Sequence, residues 1–340
     1  MDYNHRETLG SGLYESNVLT DQYQRRFRYL RLSITDVCNF QCDYCLPNGY
    51  QKQTAEPELS QLEIQNIVKS FADLGTKKIR ITGGEPVLRK DLPEIIELCK
   101  RTPGIENVAL TTNGYRIQDH YPKWIEAGLD RLNVSIDSLS PDVFNAITGH
   151  DRLRQILNGL NDAYNGGLTD IKINTVLMKQ FNANSIQAMI DWVKQTPFTL
   201  RFIELMQTGD NQEFFSNNHE SGEPIVEKLV HQGWQLKDRG IAAGPAKEFS
   251  HPEYSGKVGL IMPYSKDFCS TCNRLRVSAT GQLYLCLFGE QGIPLRPLTY
   301  NSDTTQLNNN LIEHLKLKKA THSLHEGKTG VTRHLSMIGG

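Results

Sequence analysis

Seven cysteines occur in this chain of 340 residues, and six of them form two triplets. Cys38, Cys42 and Cys45 make a C-x3-C-x2-C array, while Cys269, Cys272 and Cys286 make C-x2-C-x13-C. Thiolates select Fe-S clusters, zinc or Cu(I). A 4Fe-4S cube uses four ligands, so three thiolates leave one iron open to another molecule. Zinc sites more often show paired C-x2-C or a neighbouring H-x3-5-H, and no such histidine pair stands near the first triplet. For the second triplet, a zinc site closed by a histidine such as His251, or a set of buried inert thiols, stays open. Cys99 sits in the helix-like segment LPEIIELCKR, where a small apolar thiol suits a core position.

The first triplet directly follows a strand-like run from Tyr29 to Thr35. From residue 29 to 206, β-branched runs alternate with helical stretches, the pattern of βα units on a parallel sheet. Strands are expected at 29–35, 77–82, 106–112, 131–136, 171–176 and 199–205. Helices are expected at 60–74, 91–101, 118–127, 141–147 with 152–165, and 184–195. Six such units predict an α/β fold, an incomplete (βα)6 TIM-type barrel two units short, with an open sheet as the competing architecture. A loop after the first barrel strand opens at the C-terminal face, where barrel active sites lie.

Alternation along a strand decides which side chains share a face. Arg31, Ser33 and Thr35 fall together, as do Lys78, Arg80 and Thr82. So do Arg131, Asn133, Ser135 and Asp137, and Lys172 with Asn174, while Arg201 adds a cation from the sixth strand. Both faces of a parallel sheet are normally covered, so a polar face predicts a cavity for a polar ligand rather than a solvent face. Arg31, Lys78, Arg80, Lys172 and Arg201 concentrate positive charge there although the net charge of the chain is -1. The expected ligand is an anion, and phosphates suit arginine forks and lysine point charges.

With 38% apolar residues and near-neutral charge, the composition fits a globular protein and gives no sign of a nucleic-acid-binding or disordered chain. The N-terminus lacks the apolar core of a signal peptide, and no run reaches the roughly 18 apolar residues of a membrane span. Cysteines grouped for metal rather than disulfides add to the expectation of a cytoplasmic protein with no membrane partner. Residues 207–257 are polar and interrupted by Gly, Asn and Pro, with a short helix near 224–232. A strand at 258–264, a hairpin turning at Thr280-Gly281, an Asn/Thr-rich loop over 301–310 and a basic helix over 311–319 follow. The division expected is a flexible leader over 1–26, the barrel over 27–206, and a C-terminal α+β extension over 207–340.

The thiol array after a first strand, with Tyr44 before its last cysteine and Gly83-Gly84-Glu85-Pro86 after the second strand, resembles the radical S-adenosylmethionine (SAM) superfamily. That resemblance implies a 4Fe-4S cluster on Cys38, Cys42 and Cys45 whose open iron chelates SAM. Electron transfer then cleaves SAM to methionine and a 5'-deoxyadenosyl radical. LRLSITDVCNF, RITGGEP, TTNGY, LNVSIDSL, RFIELM and DFCSTCNRLR, with a later cysteine and a Gly339-Gly340 end, resemble the GTP 3',8-cyclase family of molybdenum-cofactor biosynthesis. The likeness runs from about residue 27 to 340, and a GTP site without G-x4-G-K-[ST] agrees with it.

By position, the family resemblance implies that Tyr44, Gly84, Ser135 and Met206 lie against SAM. It implies a second 4Fe-4S cluster on Cys269, Cys272 and Cys286, on the C-terminal extension and facing the guanine. Arg31, Arg80, Thr111, Lys172, Arg274, Leu275 and Arg276 match GTP-contacting positions, with Lys78 and Arg201 toward the triphosphate. Gly339 and Gly340 match a tail that enters the active site and, with Arg274 and Arg276, are the catalytic candidates. The implied reaction removes the ribose 3' hydrogen, joins C3' to guanine C8, and gives (8S)-3',8-cyclo-7,8-dihydro-GTP after reduction and protonation. Implied partners are GTP, an electron donor such as a flavodoxin or ferredoxin, and cyclic pyranopterin monophosphate synthase as the next enzyme; a homodimer is left open. A radical SAM maturase of peptides and a zinc-binding scaffold with two Cys3His sites are the competing readings.

Overall fold

The computed structural model describes residues 18–52, 56–238, 240 and 243–339. Six βα units follow the expected order. The strands are β1 (Tyr29–Ser33), β2 (Lys78–Thr82), β3 (Asn107–Thr112), β4 (Arg131–Ser135), β5 (Asp170–Leu177) and β6 (Thr199–Glu204). The helices between them are α1 (Gln61–Asp73), α2 (Leu92–Arg101), α3 (Ile117–Glu126), α4 (Pro141–Thr148) with α5 (Leu153–Asn165), and α6 (Ile186–Trp192). α1 starts on a capping box, in which Ser60 Oγ accepts from the Glu63 N–H at 3.3 Å and the Ser60 N–H donates to the Glu63 carboxylate at 2.7 Å.

Beyond β6 lie α7 (Gln212–Asn218), α8 (Glu223–His231), β7 (Gln235–Leu236), β8 (Lys247–Ser250) and β9 (Lys257–Ile261). They are followed by β10 (Arg274–Val277), β11 (Gln282–Tyr284), β12 (Ile293–Pro294) and α9 (Thr305–Leu315). These C-terminal strands do not form a sheet of their own. The twelve strands among the described residues join one sheet in the order β12-β11-β10-β1-β2-β3-β4-β5-β6-β9-β8-β7. β10 runs parallel beside β1 and β9 parallel beside β6, so the two strands missing from a full barrel are supplied by the extension. In a flat sheet, seven strand spacings would hold β10 and β9 roughly 34 Å apart. Ile261 of β9 and Arg276 of β10 nevertheless border one cavity, so the sheet curls into a partial barrel.

Register explains why one face is polar. Arg276, Arg31, Arg80, Ala109 and Arg131 are successive partners across five strands. Thr111 pairs with Asn133, and Asn133 with Lys172, which puts Thr111 on the same inner face. The alternate positions, among them Leu32, Ile81, Leu110, Val134, Ile173 and Leu200, are fully buried in the main hydrophobic core. A smaller apolar cluster, including Tyr44, Leu205, Phe288, Leu335 and Ile338, joins the thiol loop to the chain end.

Three expectations need correction. Residues 301–310 are not a loop throughout, because α9 begins at Thr305 and buries Leu307, Leu311 and Leu315 as one stripe. Burial of that stripe outweighs the weak helix propensity of the asparagines. α7 and the short strands β7 and β8 arise in the segment read as irregular, where Phe214 and Phe215 pack into the smaller apolar cluster. Residues 18–26, read as part of a flexible leader, are docked: Leu19 and Arg25 are buried, and Arg25 pairs with Asp21 at 2.6 Å. Residues 1–17 of that leader lie outside the described residues.

Arg25 also donates to the carbonyls of Cys269 (3.1 Å), Ala320 (2.7 Å) and Lys319 (2.7 Å). It therefore ties the N-terminal segment to the second thiol loop. Arg25→Ala would take the guanidinium from three carbonyls and leave the Asp21 carboxylate only the backbone N–H groups of residues 23 and 25, and a loss of about 3–5 kcal/mol is expected. Chemical denaturation compared with wild type measures it, and a loss below about 1 kcal/mol would mean that the buried pair is not a structural tie.

Candidate active site

The loop that leaves β1 carries the first triplet in a tight turn, with the N–H groups of Cys45 and Leu46 both donating to the Cys42 carbonyl at 2.9 Å. Its flank is held to the end of α4 by Gln41 N–H to Thr148 O (3.2 Å) and Asp43 N–H to Ile147 O (3.1 Å). Two glycines let the loop pass close over the end of β2. A Cβ on Gly83, whose φ is +156°, would meet Thr35 O at 2.3 Å, and one on Gly84 would meet Val37 O at 2.3 Å. Gly84 N–H donates to Thr35 O (2.9 Å) and Glu85 N–H to Val37 O (2.7 Å). Glu85 itself is buried and accepts from Thr112 Oγ1 (2.7 Å), Asn113 N–H (2.6 Å) and Val87 N–H (3.0 Å). Its carboxylate joins this turn to the end of β3; burial raises its pKa to about 7 although these donors oppose the shift.

All seven cysteines are free thiols. Burial pushes Cys38 up to about 12 and Cys45 up to about 11. Cys42 is pushed well above its ordinary value by burial and by the Asp137 carboxylate. Among the described residues, no three His, Cys, Asp or Glu side chains close around a single ion-sized point. The fit to a 4Fe-4S cube rests on donor chemistry, three free thiols on one loop that would each take one iron. Tyr44, inside the loop, donates to Asp137 Oδ2 at 3.0 Å. Ser135 ends β4 in line with Asn133, and Met206 borders the central cavity.

That cavity, about 960 Å³ with its mouth, gathers Arg31, Arg80, Arg201, Arg274 and Arg276 with all three thiols of the second triplet. Lys78, Lys172 and Arg131 line an adjoining pocket that also includes Arg201. Anions are few, and the cations respond: Lys78 is lowered to about 7 and Arg276 to about 10 by burial, with neighbouring arginines adding to both shifts. Several buried polar atoms of this face have no hydrogen-bond partner, including Ser33 Oγ, Arg80 Nε, Thr111 Oγ1, Asn133 Oδ1, Asn174 Oδ1 and Arg201 Nε. Orphaned donors and acceptors around a cationic cavity fit an anionic, hydrogen-bonding ligand. The Leu275 side chain is buried in the core on the opposite face, so its main chain is the part that stands between Arg274 and Arg276.

Around the second triplet the electrostatics reverse. Burial opposes ionisation of Cys269, but hydrogen bonds from His322 and Thr321 hold its thiol down at about 7. Cys272 is also held at about 7 against burial, by the charges of Arg274 and Lys318. His251 is not at this site; it packs against Trp234 and Tyr254. The histidine that is there, His322, was missed by sequence reasoning, as were Tyr29, Lys318 and Phe268 of the cavity wall. Tyr29 alone carried a signal, two residues before Arg31 on β1 and so on its face.

The chain end enters this space. Arg276 donates to Gly339 O at 3.2 Å, and Gly339 has φ +63°. A Cβ there would sit 2.1 Å from Thr82 Cγ2, so the close approach requires glycine. The backbone and hydroxyl of Ser336 also reach the Cys45 thiol. Gly340 lies outside the described residues.

A partial barrel with three thiols on its first loop and a Gly-Gly turn after its second strand defines a radical SAM protein. The Radical SAM superfamily model matches residues 32–193, and Molybdenum Cofactor Synthesis C matches residues 198–324. The fold resembles Streptococcus suis SuiB bound to S-adenosylmethionine, with a TM-score of 0.56 at 14% identity, covering 81% of this chain and 65% of that one. A GTP 3',8-cyclase of Pectobacterium atrosepticum is 53% identical over 327 residues, 95% of this chain and 99% of its own. One from Psychromonas ingrahamii is 53% identical over 333 residues, 98% of each chain. The chain belongs to the GTP 3',8-cyclase family within the radical SAM superfamily.

Gly84→Ala should push the segment before Cys38 away from β2. The expected outcome is a folded protein that loses the iron held by the first triplet, about four per chain, on anaerobic reconstitution and binds SAM at least about tenfold more weakly. Iron analysis and SAM binding measure this. Wild-type values for both would mean that the close approach does not hold the thiol loop.

Proposed function

We infer that this protein converts GTP to (8S)-3',8-cyclo-7,8-dihydroguanosine 5'-triphosphate, the first step of molybdenum-cofactor biosynthesis. The observation that carries the reading is a single cavity in which five arginines meet a second thiol triplet. Cys38, Cys42 and Cys45 would hold a 4Fe-4S cluster that, with SAM, would supply the 5'-deoxyadenosyl radical needed at the ribose 3' position. The protein's own work is position, charge and exclusion of water. Tyr44, Gly84, Ser135 and Met206 seat SAM beside the thiol loop. Lys78, Lys172 and Arg201 take the triphosphate, while Arg31, Arg80 and Thr111 hold the middle of the nucleotide.

Arg274, Arg276 and the second triplet hold the guanine end. The occupant of that triplet in this reading is a second 4Fe-4S cluster on Cys269, Cys272 and Cys286. His322 beside Cys269 favours one rival, a zinc ion, and iron with zinc analysis of anaerobic protein separates the two. Gly339 closes the cavity beside Arg276 without adding a side chain, and Gly340 is assigned to catalysis with it. A flavodoxin- or ferredoxin-like donor supplies electrons, and cyclic pyranopterin monophosphate synthase consumes the product. Free thiols suited to metal support a cytoplasmic location. No helix among the described residues is long and apolar enough to cross a membrane. The functional division follows the barrel over 27–206 and the extension over 207–340.

Arg276→Ala or Arg274→Ala, tested anaerobically with SAM and GTP, should lower cyclised nucleotide by at least about a hundredfold. SAM cleavage without GTP should stay within about threefold of wild type. Equal loss of both activities would remove guanine recognition from these arginines, and a wild-type protein that makes no cyclised nucleotide would overturn the function.

A further inference from the structure

The cationic pocket that adjoins the cavity is lined by two carboxylates, Asp238 and Glu248. Glu248 on β8 bonds the Arg201 guanidinium and lies 3.3 Å from Lys172 Nζ, so one carboxylate holds two of the cations assigned above to the triphosphate. The arrangement is built into the sheet. Arg201 on β6 and Glu248 on β8 are both register partners of Gly259 on the intervening strand β9. With no side chain between them, the two meet across a strand; a Cβ on Gly259 would press on Arg201 Cγ at 3.1 Å and contact Glu248 Cγ at 3.4 Å.

The surroundings make that carboxylate consequential. Lys78, Arg131, Lys172, Lys237 and Arg201 line the pocket with it. The other nearby partner of Lys172 is Asp170, at 3.6 Å, and Asp170 is also engaged by Arg131 at 3.2 Å. Arg201 and Lys172 are mostly buried, so a phosphate that takes them must compete with Glu248 at short range, where like charges repel strongly. Glu248 holds the two cations together before substrate arrives.

We propose that Glu248 is an internal counter-anion in the triphosphate seat, displaced from Arg201 and Lys172 when the substrate binds. It acts as a specificity-determining residue. A ligand must bring enough phosphate charge to replace it, so a nucleoside triphosphate gains entry where an uncharged nucleoside gains nothing at this end. The proposal rests on the cyclase reading, because that reading supplies the anion.

The test is equilibrium binding of GTP, inorganic tripolyphosphate and guanosine to anaerobically reconstituted full-length protein, wild type and Glu248→Gln. Glu248→Ala is a second variant in case glutamine keeps the arginine contact. Removing the counter-anion should tighten GTP and tripolyphosphate binding roughly tenfold and steepen the salt dependence, with guanosine unchanged. Equal or weaker triphosphate binding in both variants overturns the counter-anion and makes Glu248 a support for Arg201, while the function stands. A wild-type protein that binds neither GTP nor tripolyphosphate overturns the function, and this inference with it.

Discussion

Positive charge gathered on the concave face of a parallel sheet is the constraint on which the rest of this structure depends. Arg276, Arg31 and Arg80 are lateral neighbours across three strands. Burying several like charges side by side is costly, and on these strands the cost falls on the inner face. The outer face offsets it with one continuous apolar core, from Leu19 of the N-terminal segment to Leu315 of α9. The same strand thus serves both purposes through its alternation: Leu30 and Leu32 stabilise the fold, and Arg31 between them faces the cavity. Tyr29 is drawn into the same field. Burial alone would raise its phenol, yet Arg80 and Lys78 bring it down to about 7.

The two thiol triplets sit in opposite environments. Asp137 and Glu85 stand near the first and work with burial against ionisation of Cys42 and Cys38. Arg274, Lys318 and Arg25 stand near the second and work against burial, in favour of a thiolate at Cys272. A negatively charged ligand set at the second site is therefore met by protein charge. At the first, it would depend on what the thiols bind. The asymmetry agrees with a division of labour in which one triplet lies against the superfamily's shared chemistry and the other opens into the anion cavity.

Much of this was legible in the chain. The βα alternation located six strands, and period-two reading put Arg31, Lys78, Arg80, Lys172 and Arg201 on one face. What was illegible depended on register between distant segments. Thr111 could be assigned to the inner face only once its pairing with Asn133 was seen. β9 and β10 read as parts of a separate extension because nothing local says that they will pair with β6 and β1. Glu248 carried no signal for the same reason: its meaning comes from Gly259 and Arg201, which reach it through two strand pairings. His322 comes beside Cys269 across 53 residues, where no fixed spacing could announce it.

The chain end shows how these parts become one site. Glycine at 339 is required twice over, by its positive φ and by Thr82, whose methyl leaves no room for a Cβ. Leu335 and Ile338 anchor the approach in the same apolar cluster as Tyr44 of the first thiol loop and Phe288 beyond the second triplet. A few residues upstream, Ser336 meets Cys45, and at the tip the Gly339 carbonyl meets Arg276. The tail therefore touches both halves of the proposed chemistry using backbone and one hydroxyl. Extra side chains there would have to displace either β2 or the arginine, so the cavity can be closed at this point only by a segment that brings almost nothing but its main chain.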